Sequence, residues 1–230
     1  MRVMPVNRED LLGLMELSAD AYLAVQPRCR GEEMTFIDDA RSGVQCAVRR
    51  RGDTLTIAFR GTDSKADWRS NFRFCRKAVP YGNAASPVRV HAGFLAAYKC
   101  EAVRGRLHRM MTDAVRRVRV TGHSRGAALA VLCALDLQYN FPDRCYEAVL
   151  FGCPRVGNAA FARSYDRRVF MTMRVEQGAD IVCRVPPAVL GYRHVGMRCR
   201  VGPRRLLPVS FLDHLPGRYY MAMFRELPGS

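Results

Sequence analysis

Apolar residues recur at helical spacing near the start of the chain. Leu11, Leu14, Met15, Leu17, Ala21 and Val25 share one stripe between Arg8 and Val25, which predicts an amphipathic helix. Val44–Arg50 and Thr54–Phe59, separated by the turn Arg51-Gly52-Asp53, read as a hairpin. The helical stripe returns at Phe94, Tyr98, Val103, Leu107, Met111 and Val115, which predicts one long helix over Phe94–Val115. Val118–Thr121 follows as a short strand, Ala127–Tyr139 as a nearly all-apolar helix, and Ala148–Phe151 and Val169–Val175 as further strands. Strands alternating with helices after residue 90 predict an α/β fold, a mostly parallel central sheet with helices on both faces. No repeat, low-complexity tract or linker divides the 230 residues, a length that suits a single domain over residues 1–230.

With 49% apolar and 25% charged residues, the composition excludes disordered, collagen-like and coiled-coil classes. A chain of this length buries about 70–75% of its unfolded surface and needs no disulfide staples. The longest apolar run, Gly126–Leu135, is half of what a membrane-spanning helix requires. Charge changes the picture more. The formal net charge is +16, and only Lys65, Lys77 and Lys99 among the 37 basic residues are lysine. Such a surface attracts polyanions, whether nucleic acid, anionic lipid or acidic protein. A coding bias that writes arginine wherever a surface cation is tolerated explains the same total. Nine cysteines form no CxxC pair and no Cys/His cluster at metal spacing, so no metal is expected. They read as buried free thiols in a reducing compartment. The acids among the first twenty residues interrupt any secretory signal pattern, so a cytoplasmic setting is expected.

Gly122-His123-Ser124-Arg125-Gly126 fits G-x-S-x-G, with the strand RVRVT before it and the apolar helix AALAVLCAL after it. A serine on so sharp a turn needs small neighbours at both glycine positions, because side chains there would clash across the elbow. The turn aims the N–H of Arg125, at the start of the helix, toward a reacting oxygen. Chance supplies about 0.06 such matches in a chain of this composition, before the strand and helix are required. A second glycine turn ends the strand Thr54–Phe59 at Arg60-Gly61-Thr62. In an esterase such a turn donates another backbone N–H to the oxyanion, with the Thr62 hydroxyl beside it; by itself it is an ordinary strand-to-loop turn.

Together these segments resemble the class 3, fungal-type lipase family of α/β-hydrolases. The likeness runs over roughly residues 54–220: Ala58-Phe-Arg-Gly-Thr62, Asp67-Trp68, Val90-His-Ala-Gly-Phe94, Thr121-Gly-His-Ser-Arg-Gly-Ala-Ala-Leu-Ala130, Phe151-Gly-Cys-Pro-Arg-Val-Gly-Asn158, Asp180-Ile-Val, Tyr192-Arg-His-Val-Gly196 and Asp213-His214. The resemblance implies a single-domain α/β-hydrolase fold with a short lid, over about residues 63–80. It also implies a serine-dependent ester hydrolase acting on acylglycerol or phospholipid through an acyl-enzyme, with no cofactor.

An activated serine needs a base, and the base needs a carboxylate, in the chain order Ser, Asp, His. Asp180, after the strand-like VFMTMRVEQGAD, resembles the family's catalytic acid; its other reading is a turn or cap aspartate. Only His194 and His214 follow it. His214 resembles the catalytic base, and His194 a position that is usually structural. His123 and His91 read as packing and hydrogen-bonding residues, His108 as exposed, and Asp136 as a solvated face residue of the elbow helix. In the lid-like stretch, Trp68, Phe72 and Phe74 either cover an acyl groove or anchor a loop, and five cations stud the same segment. Arg125 departs from the family's apolar residue after the nucleophile, placing a cation near the groove unless its side chain turns away.

The expected function is hydrolysis of a lipid or ester substrate by Ser124, Asp180 and His214, with the N–H groups of Thr62 and Arg125 as oxyanion hole. The alternative is a catalytically silent lipase-fold scaffold or lipid-binding protein. Nucleic acid is not expected as a partner, because no aromatic-interleaved basic motif accompanies the charge. Arginines 193, 198, 200, 204 and 205, with the cations of 65–77, suggest peripheral contact with anionic membrane, at about 1 kcal/mol per residue near the surface.

Overall fold

The computed structural model describes residues 7–20, 33–61, 77–80, 82–203 and 209–227. The first helix, α1 (Arg8–Asp20), starts where the Asn7 side chain accepts the Asp10 N–H at 2.8 Å, and it buries the expected Leu11, Leu14, Met15 and Leu17. Residues 21–25 of the predicted helix lie outside the described residues. Three antiparallel strands follow: β1 (Glu33–Asp39), β2 (Val44–Arg51) and β3 (Thr54–Phe59). The predicted hairpin is β2–β3, closed by a two-residue loop with Gly52 at φ +59°, the left-handed geometry such loops demand. Of the lid-like segment 63–80, residues 63–76 lie outside the described residues; the remainder carries only β4 (Lys77–Ala78).

After β5 (Val90–His91) the predicted long helix is two, α2 (Ala92–Tyr98) and α3 (Glu101–Met110). The stripe itself explains the break. Its members step by four residues except between Tyr98 and Val103, where the step is five. In a straight helix that step would swing Val103 about 140° off the stripe. Cys100, with ψ 130°, breaks the rotation and restarts the helix, so that Phe94, Tyr98, Val103 and Leu107 all reach the core.

β6 (Arg117–His123), α4 (Arg125–Asn140), β7 (Cys145–Phe151), β8 (Gly157–Asn158), α5 (Ala159–Arg168), β9 (Met171–Gln177), β10 (Tyr192–Arg193), β11 (Met197–Val201) and α6 (Pro216–Glu226) complete the order. The main sheet runs β1-β2-β3-β6-β7-β9-β11, and every pair from β3 onward is parallel. A small second sheet, β10-β8-β5-β4, flanks it. Because side chains alternate along a strand, β7 sends Ala148 and Leu150 to one face and Val149 and Phe151 to the other. Helices α2 to α5 cover the first face with Phe94, Leu107, Phe161 and Tyr165. Helices α1 and α6 cover the second with Leu14, Met15, Tyr219 and Met223. Burial on both faces is what a parallel sheet requires. α4 is buried continuously from Gly126 to Leu137, and each fully buried Leu or Val there contributes about 1.5–3 kcal/mol.

Two expectations about polar residues on this face are corrected. Asp136 is not solvated: it is buried, accepts the Tyr98 hydroxyl at 2.8 Å, and pairs with Arg104 at 3.0 Å. His108 is not exposed: it lies half-buried, with Nε2 2.6 Å from the same carboxylate. An apolar helix can carry one acid when its neighbours supply donors that make burial tolerable. Among the described residues the cysteines are free, Cys46, Cys133, Cys153 and Cys183 being buried as expected, whereas Cys145 at the start of β7 is exposed.

Candidate active site

The sequence turns sharply between β6 and α4, and Ser124 occupies the turn with φ 59° and ψ −127°. Ser124 is the one non-glycine residue with positive φ among the described residues, a conformation that costs about 1–3 kcal/mol and is retained where the surroundings enforce it. A Cβ on Gly122 would lie 2.5 Å from the Gly126 carbonyl carbon, and one on Gly126 would lie 2.3 Å from the Phe59 carbonyl oxygen. Both glycines are therefore required by backbone crossing. The Ser124 N–H donates to Phe151 O at 3.0 Å, which ties the elbow to the end of β7. Its Oγ is buried and has no hydrogen-bond partner among the described residues.

The arginine after it does not point a cation into the elbow. Arg125 Nη1 and Nη2 donate to Gly43 O and Ser42 O at 2.7 and 2.9 Å, holding the β1–β2 turn, while its backbone N–H belongs to the first turn of α4. Thr62 lies outside the described residues.

Asp180 and His214 come together although 34 residues separate them. Asp180 Oδ2 accepts from His214 Nδ1 at 2.8 Å and from the Tyr219 hydroxyl at 2.5 Å. Its Oδ1 accepts the Val182 N–H at 2.8 Å. That last bond is an Asx turn, so one oxygen makes the turn that the cap reading expected, while the other faces the His214 imidazole. Burial pushes the Asp180 carboxyl up, but the hydrogen bonds from His214, Tyr219 and Val182 outweigh it and hold the group below the ordinary aspartate value. Asp213, adjacent to His214, accepts the Ala179 N–H at 2.9 Å and so clamps the loop bearing Asp180 to the turn bearing His214. Since a carboxylate only accepts, His214 Nδ1 carries the proton and Nε2 is left as the basic nitrogen.

Contacts missed in the sequence connect this pair to the serine. His123 Nε2 donates to the His214 carbonyl at 2.8 Å, and the two imidazoles stack with centroids 4.5 Å apart. Burial, reinforced by the nearby His214, holds His123 neutral, with its pKa pushed down to about 3. At the end of β7, Gly152 sits at φ +57°, and a Cβ there would lie 3.0 Å from Asp180 Oδ2 and from His214 Cε1 and Nδ1. Tyr219 follows Asp213-His214 within the stretch that resembles the family, and Gly152 stands in the Phe151–Asn158 block, but only their neighbours in space show what each does. His194 takes no part in the pair: its Nε2 donates to Cys183 O at 2.7 Å, and burial, with Arg174 adding, lowers its pKa to about 3.

A family model described as Lipase (class 3) matches residues 56–190. The chain belongs to the class 3 lipase family. A lipase of Rhizomucor miehei is 37% identical over 160 residues, which make up 65% of this chain and 43% of that protein. A chloroplastic phospholipase A(1) of Arabidopsis thaliana is 31% identical over 156 residues, 60% of this chain and 35% of that protein. The part of each curated relative that this class 3 lipase family chain matches is thus less than half its length. Among solved structures, a triacylglycerol lipase whose catalytic centre is described as a serine protease triad superposes with TM-score 0.78 at 25% identity. That match covers 93% of this class 3 lipase family chain and 94% of the other. The fold is the α/β-hydrolase fold of those lipases.

Proposed function

We propose that this protein is a serine-dependent carboxylic ester hydrolase that cleaves lipid esters through an acyl-enzyme. The observation that carries the reading is the Asp180–His214 pair, built against the strained Ser124 elbow by Gly152 and the His123 stack. Ser124 Oγ attacks the ester carbonyl while His214 Nε2 takes its proton, and Asp180 holds the imidazole in the required tautomer and stabilises the imidazolium. The Arg125 N–H, with Thr62, receives the developing oxyanion; one such donor is worth about 10²–10³ in rate. His214 then protonates the departing alcohol. Water, deprotonated by the same imidazole, attacks the acyl carbonyl and releases the fatty acid and a regenerated serine.

Support for lipid as the substrate class comes from the relatives, named for acylglycerol and phospholipid hydrolysis, and from the surface beside His214. Phe211, Leu212 and Leu215 are exposed there, Phe211 by 67%, and clustered apolar exposure marks a docking surface. Arg193, Arg198 and Arg200 of the basic segment are exposed near it in sequence, which supports peripheral contact with anionic membrane. A fluorophosphonate probe should label the wild-type protein and not Ser124→Ala, and the same variant should lose fatty-acid release from dioleoylglycerol and phosphatidylcholine. Labelling or turnover that survives the substitution would sink the reading, and folded wild-type protein inert to both would indicate a silent scaffold.

A further inference from the structure

β9 and β11 lie side by side in parallel register, Arg198 opposite Arg174 and Arg200 opposite Glu176. Residues two apart on a strand share a face, so these four side chains leave the sheet together. The other face of the same strands carries Val175 and Val201, packed beneath α1 and α6. Arg155, from the loop after β7, and Arg184, from the 3₁₀ turn Val182–Arg184, close over the four, and all six residues border one cavity of about 250 Å³.

The charge in this cavity is only partly compensated. Five guanidinium groups meet the carboxylates of Glu176 and Asp180, and both acids are engaged: Glu176 bonds Arg174, and Asp180 holds His214 and Tyr219. Among the described residues no carboxylate pairs with Arg155, Arg184, Arg198 or Arg200. Like charges directly opposite on paired strands are destabilising, so Arg198 beside Arg174 is unfavourable, and Glu176, shared between Arg174 and the facing Arg200, offsets only part of it. Burial, with Arg174 and Arg193 adding, pulls the Arg155 guanidinium below its ordinary range even though Glu176 opposes the change. His194, which also borders the cavity, keeps a buried Nδ1 with no hydrogen-bond partner among the described residues. A buried polar atom without a partner is costly.

We propose that this cavity binds a phosphate group, held by Arg155, Arg184, Arg198 and Arg200, on the side of Asp180 away from the serine elbow. Guanidinium forks match phosphate oxygens two at a time, and a phosphomonoester brings close to two negative charges and three strong acceptors. The volume is below the roughly 300–1,000 Å³ of pockets that enclose drug-sized molecules, so it suits a phosphate with a few waters rather than an acyl chain. Neither Ser124 nor His214 borders it. The phosphate belongs either to a soluble compound or to the headgroup of a lipid at the surface.

Calorimetric titration with inorganic phosphate, in chloride of matched ionic strength, tests the first source. Sedimentation with phosphatidylcholine vesicles, alone or carrying phosphatidic acid or phosphatidylserine, tests the second. The comparison protein is the double variant Arg198→Gln/Arg200→Gln, whose substitutions are exposed on an edge strand. Its fold is checked by circular dichroism and by a melting temperature no lower than that of the wild type. Saturable phosphate binding, weakened about tenfold to a hundredfold in the double variant, assigns a soluble ligand. Binding to phosphatidic acid vesicles in preference to phosphatidylserine, lost in the double variant, assigns a headgroup. The proposal is overturned if neither probe binds, if the variant binds as the wild type does, or if it loses both anionic vesicles equally.

Discussion

Replacing Gly152 by alanine separates the two demands placed on that glycine. The first is conformational: at φ +57° an alanine pays about 1–2 kcal/mol relative to its preferred backbone. For a chain of this size that lowers the melting temperature by about 2–8 °C. The second demand is steric. The new methyl would lie 3.0 Å from Asp180 Oδ2 and from two atoms of the His214 ring, tighter than ordinary van der Waals contact, so the pair must part by a few tenths of an ångström. Displacements on this scale at a reacting centre cost up to about 10² in rate. Gly52→Ala is the matching control, because Gly52 has φ +59° and a methyl added there would meet nothing within 4 Å. Both variants should therefore melt early by similar amounts. Only Gly152→Ala should lose kcat on p-nitrophenyl butyrate, by about ten- to a hundredfold, with Gly52→Ala within about twofold of wild type. If the two variants lose activity equally, Gly152 is not setting the geometry of the pair and the reasoning fails.

Asp180→Asn keeps the shape of the carboxyl but reverses the imidazole tautomer, and kcat should fall about 10⁴-fold while the protein remains folded by circular dichroism. Removing the Tyr219 hydroxyl strips a 2.5 Å donor from Asp180; Tyr219→Phe should cost about 1.5–3 kcal/mol in urea unfolding, and an unchanged midpoint would contradict it. His91, His123 and His194 are pushed down by burial to about 4, 3 and 3, against about 6.5 in the unfolded chain. Below pH 6.5 the unfolded chain then binds more protons than the folded one, so stability should fall with pH toward 3–4, each histidine adding up to about 1.4 kcal/mol per unit. Urea midpoints that do not change between neutral and mildly acidic pH would refute this. Asp136→Asn, which breaks a partly exposed pair with Arg104, should destabilise by about 2 kcal/mol without altering kcat, since that network lies under α3 and α4 rather than at the elbow.

What can be read from the sequence is the part whose physics is local. The Ser124 elbow shows in five consecutive residues because backbone crossing at Gly122 and Gly126 dictates their type. The hairpin at Gly52 and the core helix α4 are equally plain. Elements that bury a narrow stripe among arginines are not: α5 hides Phe161, Ala162 and Tyr165 in AAFARSYDRR, and α6 hides Tyr219, Ala222 and Met223 behind exposed neighbours. The Asp180–His214 pair is reached through resemblance, since no spacing rule joins residues 34 apart. Tyr219 and the clamp by Asp213 depend on where loops meet in space. The same holds for Asp136 and His108, whose burial follows from Arg104 and Tyr98 arriving from other helices.

The arginine excess looks different once its members are placed. Arg119 bridges Asp10 of α1 to Glu147 of β7, at 2.5 and 3.1 Å, so an acid of the first helix is consumed inside the fold. Arg104 neutralises Asp136, Arg125 caps the β1–β2 turn, and Arg174 spans from Val195 O to Glu176. Each holds two segments together with a planar fork, a task for which lysine is a poor substitute. A coding bias toward arginine accounts for exposed cations such as Arg109, paired loosely with Glu101, but not for these. Nor does it account for the cluster on β9 and β11, where Arg198 faces Arg174 and their repulsion works against the fold. A residue type that is neutral on an open surface and unfavourable when crowded marks the crowded positions as the ones that answer to a ligand. In this chain they lie beside Asp180.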